Sequence, residues 1–327
     1  MYDLITIGDV KLDTFIVLDD ASLQCSLKEE DGCKLCIAYG AKIPVQDFEP
    51  QIAGSAANVA VALARLRRKT AIYSIVGHDP TGTLAFERMR EEGVDTKFLK
   101  KTQARSSRSS YSVVITYKGD RTILGVLHPR RYRLPSKLGA TRWLYLSEMG
   151  EDFAPLYRDV VALAKRRGVK IGFNPGSYQL RAGARALKQL LRVTTVLFVN
   201  MEEGHELLGE KNGRDIRHLV TALWKLGPAA VVVTDGAEGA YAFDGGEVWH
   251  VPAFPATVKE RTGAGDSLAS GVVGALLSEK SIAEALRWGA ANAASAVEEI
   301  GPQHGLLTRA KMARALKQHA KITAVAM

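Results

Sequence analysis

Six short runs of apolar and β-branched residues recur along this 327-residue chain: DLITIG, TAIYSIVG, WLYLSE, VKIGFN, TVLFVN and AAVVVTDG. Each has the length of a strand and is apolar on both faces, so each must be covered on both sides. Helical patterns lie between most of them, over 57–67, 80–92, 154–167, 184–192, 203–209 and 214–226. Such alternation confines the chain to the α/β class, a central mostly parallel sheet flanked by helices. The last third reads as three further helices, 266–278, 281–298 and 308–319, rich in Gly and Ala. Ligands of such sheets bind at the C-terminal ends of the strands, which is where chemistry is to be sought.

Two stretches break the alternation. Residues 14–52 hold short extended pieces without a helical pattern, and 108–127 read as a hairpin of two β-rich runs joined by YKGD. Together they predict a small β-sheet lid. The expected division is a core of 1–13, 53–107 and 128–327, with 14–52 and 108–127 as a discontinuous lid.

Composition narrows the function. The chain is 46% hydrophobic and 24% charged, with no apolar run of the roughly 18 residues that a membrane span needs. The N-terminal MYDLITIGDV carries an acid and lacks the basic start of a signal peptide, so a cytoplasmic location is expected. Net charge is +9, but the basic residues are dispersed over helix faces. They predict a solvated basic surface that also draws in anionic substrates, and neither a nucleic-acid nor a membrane partner. Cys25, Cys33 and Cys36 cluster in one segment, whose CKLC is a lone CxxC. Free thiols, a disulfide and a metal clip all remain open there.

The most informative stretch is RTGAGDSLASG, 261–271. Leu268, Val272 and Leu276 recur at helical spacing, so a helix starts near Asp266. The first amides of a helix lack internal partners and its dipole favours anions. A Gly263-Ala264-Gly265 approach would let a phosphate reach them. Asp266 has two readings, a helix N-cap or a general base taking a proton from an attacking hydroxyl.

The segment resembles the second signature of the ribokinase-like (PfkB) carbohydrate kinases, and the resemblance extends over nearly the whole chain. ITIGDVKLDTFI is similar to the family's first strand, whose closing Asp, here Asp13, would bind sugar hydroxyls. AGSAANVAVALARL resembles the first signature, with Gly54, Ser55 and Asn58 at substrate-binding positions. VLFVNMEEGHELLG resembles the N-x-x-E stretch, giving Asn200 at the nucleotide and Glu203 on Mg²⁺, through water. VVVTDGAEGAYAF supplies Thr234, Gly236 and Gly239 beside the nucleotide, and ANAASAV supplies Asn292 near adenine. The resemblance implies ATP as donor, Mg²⁺, Asp266 as catalytic base, and a homodimer through the lid. No Walker A sequence is present.

The chain departs from the family pattern in places. Glu260 replaces the Asp that opens the second signature, which puts a monovalent cation in doubt. Lys11 stands where a neutral residue often helps to bind sugar, positioned to pair with Asp13 or meet an acidic substrate. Arg130, Arg131 and Arg133 are read as solvated loop charges or as contacts to an anionic substrate. The expected activity is phosphorylation of a sugar hydroxyl. A nucleoside kinase and a non-catalytic sensor on the same fold are the alternatives.

Overall fold

The computed structural model describes residues 1–25, 33–104, 106–118, 120–211 and 213–327. The chain runs β1 (Tyr2–Ile7), β2 (Lys11–Val17), β3 (Ser22–Cys25), β4 (Cys33–Cys36), β5 (Asp47–Ala53), α1 (Ser55–Arg65), β6 (Thr70–Val76), α2 (Pro80–Glu91), β7 (Asp95–Lys101), β8 (Ser110–Tyr117), β9 (Asp120–Val126) and β10 (Thr141–Leu146). It continues α3 (Ala154–Arg167), β11 (Lys170–Phe173), α4 (Ser177–Leu191), β12 (Val196–Asn200), α5 (Met201–Leu208), α6 (Ile216–Lys225), β13 (Ala230–Thr234), β14 (Ala240–Phe243), β15 (Val248–Val251), α7 (Ala264–Leu276), α8 (Ile282–Ala296), α9 (Arg309–Gln318) and β16 (Val325–Ala326).

The large sheet has the order β16-β15-β14-β13-β12-β11-β10-β1-β6-β7. It is parallel from β13 to β7 and antiparallel at the β14–β16 edge. Alternate side chains of each strand enter opposite cores. Leu4, Trp143 and Val232 pack under α1, α7, α8 and α9; Ile5, Leu144 and Val231 pack under α3, α4 and α6. This two-sided burial is why the six runs lack polar alternation. No helix among the described residues is long and apolar enough to cross a membrane.

α7 and α8 lie unusually close. A Cβ on Gly271 would stand 2.6 Å from the Trp288 carbonyl, so only glycine permits the approach. The sequence reads a helix only from 184; the structure begins α4 at Ser177 and breaks it at Gly183, whose φ is 74°.

The smaller sheet has the order β5-β2-β8-β9. Its first segment begins at Lys11, ahead of the expected lid edge at 14, and ends at Ala53; its second spans β8 and β9. Gly8 and Asp9 turn the chain out of the large sheet, the Asp9 amide donating to the Glu148 carbonyl at 2.9 Å. Asp13 therefore does not close the first buried strand. It lies within β2, opposite Gln51 and Ser112.

β3 and β4 form a separate two-stranded ribbon in which Cys25 faces Cys33 and is bonded to it. Cys36 keeps a free thiol, and no metal-binding cluster occurs among the described residues.

Arg130 corrects both sequence readings. It is buried, with Nε on the Ile75 carbonyl at 3.0 Å and its terminal nitrogens on Ser107 Oγ and the Pro129 and Arg108 carbonyls. It ties the β7–β8 connection to the β9–β10 connection and to β6. Arg131 is exposed, and Arg133 is also largely exposed, 3.6 Å from Asp159.

Candidate active site

A cavity of about 1160 Å³ opens over the C-terminal ends of β10, β11, β12 and β13, with the inner face of the smaller sheet as one wall. It flanks the point where the strand order reverses between β10 and β1, the usual place for a ligand in an open α/β sheet.

The N-termini of α7 and α1 point into it. α7 begins after Gly263, whose φ is 79° and whose Cβ would meet Pro302 at 2.3 Å. Asp266 sits in the first turn, and no side chain caps this helix, so the N-cap reading fails. The Ala264 amide donates to the Arg261 carbonyl at 3.2 Å, and the Ser267 amide to Gly263 at 2.8 Å. Between them, the Gly265 and Asp266 amides have no protein acceptor among the described residues. A Cβ on Gly265 would meet nothing within 4 Å, so the space before those amides is open. Unpartnered amides facing open space at a helix N-terminus suit an anion.

α1 brings the second set. Asn58 Nδ2 donates to Asp266 Oδ2 at 2.8 Å, and the Ser55 side chain, near the carboxylate, also favours its charge. Burial raises the pKa of Asp266, outweighing these donors and the nearby Lys11 ammonium. Gly54, with φ 104°, lets the chain turn into α1 against the Asp9 carbonyl.

Across the cavity, Asp13 accepts from the Ser112 hydroxyl, and burial raises its pKa as well. Lys11 Nζ pairs with Glu148 at 3.1 Å rather than with Asp13. Burial opposes its charge, but the carboxylates of Glu148 and Asp13 outweigh that and raise its pKa. This end of the site thus gathers Asp13, Glu148 and Asp266 around a single lysine.

At the other end stand Thr234, Gly236 and Gly239, at the turn leaving β13. Asn200 caps α5: its Oδ1 accepts from the Glu203 amide at 2.8 Å, and Glu203 Oε2 accepts from the Asn200 amide at 2.9 Å. Burial, with Asp266, Glu206 and Glu202 nearby, pushes Glu203 up to about 7 against that amide bond. Glu260 is buried; one oxygen accepts from the Thr262 amide and hydroxyl at 2.8 and 2.7 Å, while Oε2 has no hydrogen bond among the described residues.

Asn292 does not reach the cavity. Its amide nitrogen donates to the Ser267 carbonyl at 2.9 Å and Ser270 Oγ at 3.0 Å, and its oxygen accepts from the Leu307 amide at 2.9 Å. It joins α7 to α8, while its neighbours Ala290, Ala293, Ala294 and Val297 line the wall. Those small side chains leave a flat apolar surface.

Glu148, Ser112 and Arg261 also line the cavity. The signal for Glu148 was its place just after a buried strand, in WLYLSE. Ser112 carries no sequence signal beyond its place in the hairpin.

A deep cleft at the strand ends, a carboxylate beside open amides and an opposing polar wall together define a class: phosphotransferases with an alcohol group as acceptor. The sequence matches the family model of pfkB family carbohydrate kinases over residues 14–309. This chain belongs to that family, whose members are ATP-dependent carbohydrate kinases. It is 27% identical to a ribokinase of Haemophilus influenzae over 282 residues, covering 83% of this chain and 89% of the relative. It is 28% identical to a fructokinase of Klebsiella pneumoniae over 236 residues, covering 68% and 76%. Its fold resembles that of a Burkholderia thailandensis nucleoside kinase in complex with inosine, with a TM-score of 0.76 at 18% identity, covering 97% of this chain and 99% of that one.

Proposed function

We propose that this kinase moves the γ-phosphate of ATP to a hydroxyl of a neutral sugar, in the manner of a ribokinase or fructokinase. The observation that carries the reading is the Asp266 carboxylate, held by Asn58 beside the open Gly265 and Asp266 amides. Asp266 takes the proton from the acceptor hydroxyl as its oxygen attacks phosphorus; the bond to the bridging oxygen breaks and ADP leaves. The amides and Arg261 stabilise charge on the transferring group. Asp13 and Glu148 accept hydrogen bonds from the remaining hydroxyls, an arrangement suited to polyols.

Asp13, Glu148 and Asp266 outnumber the paired Lys11 and the Arg121 on the β9 wall, so sugar acids and sugar phosphates are poor substrates in this reading. Glu203, a buried carboxylate near the phosphate end, suits Mg²⁺, which binds through one or two carboxylates together with phosphate oxygens and water. Bound there, Mg²⁺ would neutralise phosphate charge. Asn200, Thr234, Gly236 and Gly239 border the nucleotide, and the α8 alanines receive its base. The smaller sheet covers the acceptor and excludes water. Its outer face exposes Phe48, Leu124 and Val126, which makes a second copy the proposed partner. A cytoplasmic location goes with this reading.

A nucleoside acceptor is the second reading, supported by Ile123 on the cavity wall, an apolar contact for a base. ADP release measured over neutral sugars, nucleosides, sugar acids and sugar phosphates tests all of these. Turnover with a neutral sugar supports the proposal. Turnover with nucleosides alone selects the second reading, and ligand binding without turnover selects a sensor.

A further inference from the structure

A chain of side-chain hydrogen bonds runs from the surface to Asp266, and its direction is set at both ends. Arg88 Nε, a donor only, meets Gln303 Oε1 at 3.1 Å. Gln303 Nε2 donates to the Ile52 carbonyl, an acceptor only, at 2.9 Å, and to Asn58 Oδ1 at 3.1 Å. Asn58 Nδ2 then donates to Asp266 Oδ2 at 2.8 Å. Neither amide can rotate without placing two donors or two acceptors together. Gln303 and Asn58 are both buried, so such a clash would go unrelieved by water. The main chain is fixed too: Arg65 donates to the Gln303 carbonyl at 2.5 Å, and Arg65 and Arg88 share Glu92 at 2.6 and 2.7 Å.

We propose that Gln303 is a positioning residue for phosphoryl transfer, locking the Asn58 amide so that Asp266 Oδ2 always receives a donor and the acceptor's proton can be taken only on Oδ1. The inference rests on Asp266 being the base. A freely rotating Asn58 would let Asp266 carry a proton on Oδ2 and donate it to the Asn58 oxygen, a state useless for catalysis. Gln303 forbids that state because its own N–H already occupies the Asn58 oxygen. Lys11, Glu148 and Glu203 are the other charged groups acting with or on Asp266, and none touches Gln303.

Gln303→Glu tests the idea in the full-length chain. It keeps the shape and the Arg88 bond but presents oxygen to Asn58 and to the Ile52 carbonyl, forcing the Asn58 amide to turn its own oxygen towards Asp266. The expected result is a fall in kcat of about tenfold to a hundredfold, little change in acceptor KM, and an upward move of the acid limb of the kcat–pH profile by about one pH unit. A folded Gln303→Glu protein with kcat within twofold of wild type and an unmoved limb overturns the proposal. Should that variant not fold, Gln303→Met removes the donor without reversing it; the expected loss is about threefold to tenfold with the limb again moved upward, and a wild-type profile overturns the proposal. A ¹³C titration of the Asp266 carboxyl reads the same effect without turnover. Its pKa should rise in Gln303→Met, and no change sinks the proposal even if no acceptor is found. Absence of kinase turnover in the wild-type protein, by contrast, would count against the functional reading alone.

Discussion

Asn58 and Asp266, 208 residues apart, meet through a 2.8 Å hydrogen bond that joins the first turns of α1 and α7. Two helix N-termini thus converge on one carboxylate. Each dipole favours the ionised form, yet burial outweighs them and raises the pKa of Asp266. The group is a stronger base than an exposed aspartate and remains anchored while it acts.

Removing the charge should therefore abolish chemistry without disturbing the cavity. Asp266→Asn keeps the shape of the side chain and removes the base. A fall in kcat of about 10²–10⁴-fold is expected, with ATP affinity by calorimetry within a few fold of wild type. Near-normal turnover would refute the assigned role.

Glu203 gives a pH signature independent of activity. Its pKa rises from 4.5 to about 7 in the folded chain, so between those values the folded state holds a proton that the unfolded state has lost. Its contribution therefore favours folding below about pH 4.5 and disappears as pH rises through 7. Glu203→Gln should flatten this part of the stability–pH curve in the nucleotide-free protein. Thermal unfolding from pH 4.5 to 8 measures it, and an unchanged curve contradicts the raised pKa.

The pairing of Lys11 with Glu148 makes Lys11 a structural cation of the acceptor wall. Lys11→Met leaves the buried Asp13 and the partly buried Glu148 without their shared cation. Acceptor KM should rise about tenfold or more, with ATP KM nearly unchanged. If Lys11 instead gripped an acidic acceptor, the variant would lose sugar acids selectively; steady-state kinetics on neutral and acidic sugars separates the two.

Much of this was legible in the sequence because the large sheet is buried on both faces. Uninterrupted apolar runs such as TVLFVN and AAVVVTDG locate β12 and β13 directly, and the residues that close these strands, Asn200 and Thr234, stand at the cavity. β7, DTKFLKK, went unread because it is the sheet's edge strand and exposes charged side chains. The sequence places Asp13 at the end of the first strand because ITIGDVKLDTFI is apolar on both sides of the three residues Gly8–Val10, and sequence pattern alone does not show that the chain changes sheets there. At Asn292, a helical asparagine facing a ligand and one bridging two helices share the same local pattern. The small residues around it, which permit the α7–α8 approach, are the clue to the second role. The burial of Arg130 is hidden for a related reason: its acceptors include carbonyls of Ile75, Arg108 and Pro129, which composition cannot reveal.

Arg130 supplies the last prediction, on stability. Its guanidinium satisfies acceptors on β6 and on the β7–β8 and β9–β10 connections, and the side chain is buried. Arg130→Ala leaves those carbonyls without donors in a site of low water access, at a cost of about 2–4 kcal/mol. Arg130→Lys retains the charge but cannot reach all of them at once, so it should recover only part of that stability. Because none of these acceptors lines the cavity, Asp266 and its partners should stay in place. The expected outcome is a lower denaturation midpoint in both variants, deeper in Arg130→Ala, with kcat at low temperature close to wild type. A large loss of kcat at unchanged stability would instead place Arg130 in contact with substrate.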